Sequence, residues 1–141
     1  MINYLDTSVL VSALTSDART DDVQAWLGEQ AEGELAISEW VLTEFSAALS
    51  IKVRTGQIGS AHRTSIVAFF SEAAASSFAI LPVTGATFRT AARFADQYEL
   101  GLRAADALHL AAAAGHGARM CTLDKRLNAA GAALGVSTLL L

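Results

Sequence analysis

Apolar positions along this chain follow two rhythms that alternate from end to end. Short runs at residues 2–5, 35–37, 79–83, 119–123 and 136–141 are too brief for an amphipathic helix and rich enough in β-branched or aromatic residues to read as buried strands. Between them, apolar residues recur at three and four. Val9, Leu10, Val11 and Leu14 mark one helix, and Val23, Trp26 and Leu27 a second. Val41, Phe45, Ala48, Leu49 and Val53 form a long stripe, followed by Ile66, Val67, Phe69 and Phe70. Phe88, Ala91, Ala92, Ala95 and Tyr98 predict another helix, residues 103–114 the next, and Leu127 a short last one. Asp6, Thr20, Ser38 and Ser60 are expected N-caps, while Gly56, Gly101, Gly115, Gly131 and Gly135 are expected breaks. Strands that alternate with helices call for a parallel sheet covered on both faces. The expected fold is therefore α/β, a three-layer α/β/α sandwich around a mostly parallel sheet of four to five strands. Pro82 implies that the third strand lies at an edge or ends there, because proline cannot donate to a ladder.

The length, 141 residues, suits one domain over 1–141 with no linker or repeat. Cys121 is the only cysteine, which excludes an internal disulfide and suggests a reducing, cytoplasmic setting. No secretory leader is expected, since Asp6 falls where its apolar segment would begin. Glu72, Arg89, His109 and His116 break up the apolar stretches, so no membrane span is expected. Hydrophobic residues nevertheless make up 52% of the chain, and that excess points to an apolar surface that a second copy or another protein covers. A net charge of −4 argues against holding nucleic acid on a broad basic surface, though not against gripping phosphates locally through metal ions.

Acids at strand ends change the picture most. Asp6 follows the first strand and Asp124 the fourth, and the carboxyl ends of strands are where open α/β sheets bind ligands. Asp106 sits in the first turn of its helix, and Glu44 lies at the margin of the buried stripe of the third helix. Each has a bland explanation. Asp6 and Asp124 are good caps, Asp106 suits the helix dipole, and Glu44 has Lys52 and Arg54 nearby. Taken together, four carboxylates brought to one rim would repel one another unless a cation joined them. An oxygen-only set suits Mg²⁺ or Mn²⁺, and no Cys/His spacing for zinc is present. His109, one turn beyond Asp106, reads as a packed core residue more readily than as a ligand.

Other strand-end aspartate chemistries do not fit. A dehalogenase-type phosphatase needs a second Asp where Ser8 stands. A phosphoacceptor receiver needs an Asp at the end of the third strand, where Val83-Thr84-Gly85 has none. Thr7-Ser8 is not a glycine-rich phosphate loop, and no nucleophile elbow is present.

Four segments carry a resemblance: residues 4–8 (YLDTS), 43–45 (TEF), 102–111 (LRAADALHLA) and 122–127 (TLDKRL). In order and spacing the chain resembles a PIN-domain ribonuclease of the VapC toxin type, over nearly its whole length. The resemblance implies that Asp6, Glu44, Asp106 and Asp124 form an acidic quartet around one or two Mg²⁺ ions, with Thr7, Ser8 and Thr122 as supporting or phosphate-side hydroxyls. It also implies cleavage of single-stranded RNA, a homodimer, and a cognate antitoxin that covers the site. Residues 56–83 match in helical character alone. A non-catalytic PIN-like module that binds RNA or protein stays open as the alternative.

Overall fold

The computed structural model describes residues 1–141. Five strands form one sheet: β1 (Asn3–Leu5), β2 (Leu35–Ser38), β3 (Ala79–Leu81), β4 (Arg119–Thr122) and β5 (Thr138–Leu140). Every pairing is parallel, and the order is β3-β2-β1-β4-β5. The helices are α1 (Thr7–Leu14), α2 (Thr20–Gly28), α3 (Glu39–Arg54), α4 (Ser60–Ser77), α5 (Gly85–Ala95), α6 (Ala104–Gly115) and α7 (Lys125–Ala133).

The topology positions the site. The chain builds β1, β2 and β3 outward, then crosses back to lay β4 and β5 on the other side of β1. The order of strands thus reverses between β1 and β4, and the helices leaving such a pair splay apart at the carboxyl ends. Leu5 pairs with Cys121, so Asp6 and Thr122 emerge side by side at that point. The Asp6 amide continues the ladder by donating to the Cys121 carbonyl at 3.1 Å.

Tyr4, Leu5, Val9, Leu10, Ile37, Val41, Phe45, Leu49, Leu110 and Met120 are fully buried around this central pair of strands. Phe45 packs on Phe70 with ring centroids 4.3 Å apart, which ties α3 to α4. A smaller apolar cluster of Ala91, Ala107, Leu108 and Ala111 holds α5 against α6, where alanines allow close approach. No helix is long and apolar enough to cross a membrane.

β3 is an edge strand and ends just before Pro82, and residues 119–123 and 136–141 yield shorter strands than their apolar runs suggest. Several terminators differ from expectation. Tyr98 is not on the α5 stripe: it begins a separate 3-10 turn and is 89% exposed. Gly131 does not break α7 but lies inside it, because a β-carbon there would sit 2.4 Å from Thr138 Cγ2. The break comes at Gly135, whose φ of +76° suits glycine. Thr20 and Ser60 are the first residues of their helices and not their caps, and Ser38 stands at the cap position of α3 without capping it. Two of those hydroxyls have other partners. Thr20 Oγ1 bonds the Ser12 carbonyl at 2.7 Å, and Ser38 Oγ bonds the Tyr4 hydroxyl.

Candidate active site

Asp6 is the cap of α1 and is almost wholly buried. Its Oδ1 accepts from Ser8 Oγ at 2.5 Å and from the Val9 amide at 3.3 Å, and its Oδ2 accepts from Thr122 Oγ1 at 2.5 Å. Burial pushes the Asp6 carboxyl above its ordinary range, although the His109 charge and these three donors pull the other way. Desolvation therefore sets the sign, and crowding by other acids is not among the causes.

Thr122 joins two of the four acids. While it donates to Asp6, it accepts from the Asp124 amide at 3.0 Å. Asp124 caps α7, its Oδ1 accepting from the amides of Arg126 and Leu127 at 2.8 and 3.2 Å. Ser8 makes a parallel link, accepting from the Leu123 amide at 3.2 Å. Thr122 and Ser8 thus each bond Asp6 and the chain at residues 123–124.

Glu44 approaches from α3. Its Oε1 accepts from Thr7 Oγ1 at 2.7 Å and is in hydrogen-bond contact with His109 Nε2. Burial would raise the Glu44 carboxyl, but the bond and charge of His109 and the Thr7 hydroxyl outweigh it and hold the carboxyl below its ordinary range. Neither Lys52 nor Arg54 is its partner. His109 is fully enclosed, and its Nδ1 lies 2.8 Å from the Tyr4 hydroxyl, which also contacts Ser38 Oγ at 2.8 Å. A carboxylate can only accept, so His109 Nε2 carries a proton and donates it to Glu44. Ser38, Tyr4, His109, Glu44 and Thr7 thus form one polar line through the core, crossing β2, β1, α6, α3 and α1. Tyr4 and Ser38 were not expected in it: one reads as core, the other as a cap.

Asp106 lies in the first turn of α6, where its Oδ2 accepts from the Arg103 amide at 3.3 Å. Asp106 and Asp124 line one open pocket of about 220 Å³ with Arg103, Arg126, Leu102 and Gly101. The bland roles of Asp6, Asp106 and Asp124 are therefore real, since each caps or braces a helix. Capping leaves oxygens over. Asp106 Oδ1, Asp124 Oδ2 and Glu44 Oε2 accept no hydrogen bond from the protein. Hard oxygen donors of this kind fit Mg²⁺ or Mn²⁺. No three His, Cys, Asp or Glu side chains are gathered tightly enough to enclose one ion.

The family model of the PIN domain matches residues 4–133, nearly the whole chain. The chain belongs to the PIN-domain family. No curated protein sequence matches this PIN domain, but solved structures do. FitAcB from Neisseria gonorrhoeae superposes with a TM-score of 0.73 at 20% identity, covering 98% of this chain and 96% of that one. VapC20 from Mycobacterium tuberculosis, described as a sarcin-ricin loop cleaving toxin, gives 0.74 at 19% identity, covering 92% and 95%. VapBC2 from Rickettsia felis, bound to a DNA fragment from its promoter, gives 0.68 at 17% identity, covering 100% and 99%. At these identities the likeness is one of fold. Within this PIN domain, Asp6 and Asp124 stand at the carboxyl ends of β1 and β4, joined through Ser8 and Thr122, while Glu44 is held by Thr7 and His109, and Asp106 shares a pocket with Asp124.

Proposed function

We propose that this PIN domain is a Mg²⁺-dependent endoribonuclease that cleaves single-stranded RNA and acts as the toxin of a toxin–antitoxin pair. The observation that carries the reading lies at the sheet reversal: Thr122 joins Asp6 to Asp124, Asp124 shares a pocket with Asp106, and Asp106, Asp124 and Glu44 each keep an oxygen without a protein donor. Mg²⁺, with Mn²⁺ as a substitute, would be held by these carboxylates. When bound, such an ion supplies Lewis-acid assistance to phosphodiester hydrolysis.

The chain's own residues define the rest. Ser8, Val9 and Thr122 fix both oxygens of Asp6, so its orientation is set before substrate arrives. His109 and Thr7 do the same for one oxygen of Glu44 and leave the other free of protein donors. The toxin role is supported by the fold neighbours, several of which are toxin–antitoxin complexes. An antitoxin partner and a homodimer also agree with the apolar side chains left on the surface, among them Phe69 at 61% and Phe88 at 52% exposure.

The test is hydrolysis of single-stranded RNA by the purified chain with Mg²⁺ and with chelator. Cleavage is expected with the ion alone, and Asp6→Asn or Asp106→Asn should each lower it by on the order of 10²-fold or more. Cleavage that persists in chelator and in both variants overturns the metal reading. The absence of any tight three-acid cluster favours a second reading, a non-catalytic module that binds RNA or protein; RNA bound but never cut would select it.

A further inference from the structure

We propose that Arg103 and Arg126 form a phosphate-binding subsite for single-stranded RNA, placed beside two of the carboxylates. The inference rests on the nuclease reading for its substrate and on separate observations for its location. Arg103 and Arg126 line the same pocket as Asp106 and Asp124. Arginines so close to acids ordinarily close ion pairs, yet neither guanidinium comes within 4.0 Å of a carboxylate, and neither donates a hydrogen bond to the protein. The two acids instead bind backbone amides, Asp106 that of Arg103 and Asp124 that of Arg126. Each acid is thereby held back by the main chain of the same residue whose side chain stays free.

Arg126 also has a shaped seat. Gly101 adopts a φ of +64°, and a β-carbon there would stand 3.2 Å from Arg126 Nη2. Glycine keeps the turn between the 3-10 segment and α6 close against the guanidinium. Arg103 is the cap residue of α6, and Arg126 lies in the first turn of α7, so both charges stand at the start of a helix. A phosphodiester suits two planar forks that are not already paired. Local charge of this kind is what a protein of net charge −4 needs to hold a polyanion without a basic surface.

The experiment reads binding, not cleavage, so it separates this inference from the nuclease reading. A labelled single-stranded oligoribonucleotide is titrated with full-length protein in EDTA, and the affinity is followed against NaCl concentration by anisotropy. For single strands, the slope of log affinity against log salt falls by about 0.7 for each phosphate that the protein no longer neutralises. R103Q/R126Q should flatten the slope by about 1.4, each single variant by about half that, and R93Q on the surface of α5 should leave it unchanged. Inorganic phosphate, tested as a competitor, is expected to displace RNA only weakly, because one phosphate gains little from a site that tracks a strand. Circular dichroism checks that the variants fold; both arginines are exposed, so no loss is expected. An unchanged slope in R103Q/R126Q, the same flattening in R93Q, or no RNA binding by the wild type at low salt overturns the subsite. Failure of Mg²⁺-dependent cleavage with the slopes as expected would instead remove the nuclease reading and leave the subsite standing.

Discussion

Thr122 donates its hydroxyl to Asp6 Oδ2 at 2.5 Å, joining residues 116 positions apart at the point where the strand order reverses. Both are buried, so no water can replace the bond. Thr122→Val keeps the shape and removes the donor. Losing a hydrogen bond to a buried carboxylate should cost about 1.5–3 kcal/mol of unfolding free energy. It should also push the Asp6 carboxyl still higher, because one of the donors that lower it is gone. Urea melts at neutral pH measure the first effect; a stability equal to wild type would mean the bond does not hold the rim together.

The charge on Asp6 gives a prediction with a definite sign. Its folded pKa lies above the unfolded value, with burial the main cause. Between those two values the native state binds more protons than the unfolded chain. Stability from this group is complete below the unfolded pKa and is lost as pH rises through the folded one. Asp6→Asn removes that loss, and its amide can donate to Thr122 while its oxygen accepts from Ser8 and Val9. In EDTA near neutral pH the variant should melt above wild type, and the gap should close as pH falls towards about 4. Asp17 supplies the opposite case. Its carboxyl is held low: desolvation would raise it, but the Arg19 amide, the Ser12 and Thr20 hydrogen bonds and the Lys52 charge together overcome that. Its contribution is present above the unfolded pKa and disappears as pH drops through the folded one. Asp17→Asn should therefore be less stable than wild type at neutral pH and equal to it in acid, by thermal melts over the same range.

The contrast between Asp6 and His109 shows what the sequence could carry. The alternation of strands and helices made the parallel sheet legible, and strand-end placement singled out Asp6 and Asp124, because both are local signals. The central position of β1 follows from the same topology. What stayed hidden were bonds between residues far apart in the chain. Nothing near Ser38 in sequence says that its hydroxyl turns inward to Tyr4, since a serine before a helix looks the same whether it caps or not. His109 was readable as a packed core residue, and its partners, Tyr4 and Glu44, are 105 and 65 positions away. Burial as the cause of the raised Asp6 pKa is likewise a property of packing, which the spacing of acids does not contain.

His109 yields the third prediction. It braces Glu44 from inside while Tyr4 holds its other nitrogen, so its removal should affect the site as well as the core. His109→Ala should cost on the order of 2–4 kcal/mol, from the cavity together with the unpaired groups left behind. His109→Gln can still donate to Glu44 and should recover part of both stability and RNA hydrolysis. Tyr4→Phe removes one hydroxyl and leaves Glu44 bonded, so its loss, about 1–2 kcal/mol, should fall on stability with little change in turnover. Equal turnover in all three variants, compared at a temperature where each is folded, would mean that Glu44 needs no brace.

Gly131 sets helix propensity against packing, and the magnitudes decide between them. It lies within α7 and is buried, so alanine there would gain about 1 kcal/mol from backbone preference alone. The added methyl, however, would meet Thr138 Cγ2 at 2.4 Å and Leu110 Cδ2 at 2.9 Å. Thr138 is β-branched and anchored in β5, so its methyl cannot swing aside freely, and Leu110 is fully enclosed in the core. Overpacking of this kind costs about 1–3 kcal/mol, enough to cancel or exceed the gain. Gly131→Ala should therefore lower stability in urea melts, and the loss should appear as a disturbed α7–β5 contact. Thr138→Ser removes the closer methyl and keeps the hydroxyl that reaches the Asn128 carbonyl at 3.4 Å. The double variant should be more stable than the sum of the single effects, a positive coupling of the kind seen between residues in direct contact. Additive effects, or a Gly131→Ala protein more stable than wild type, would show that α7 can shift away from β5 and that the glycine is there for some reason other than space.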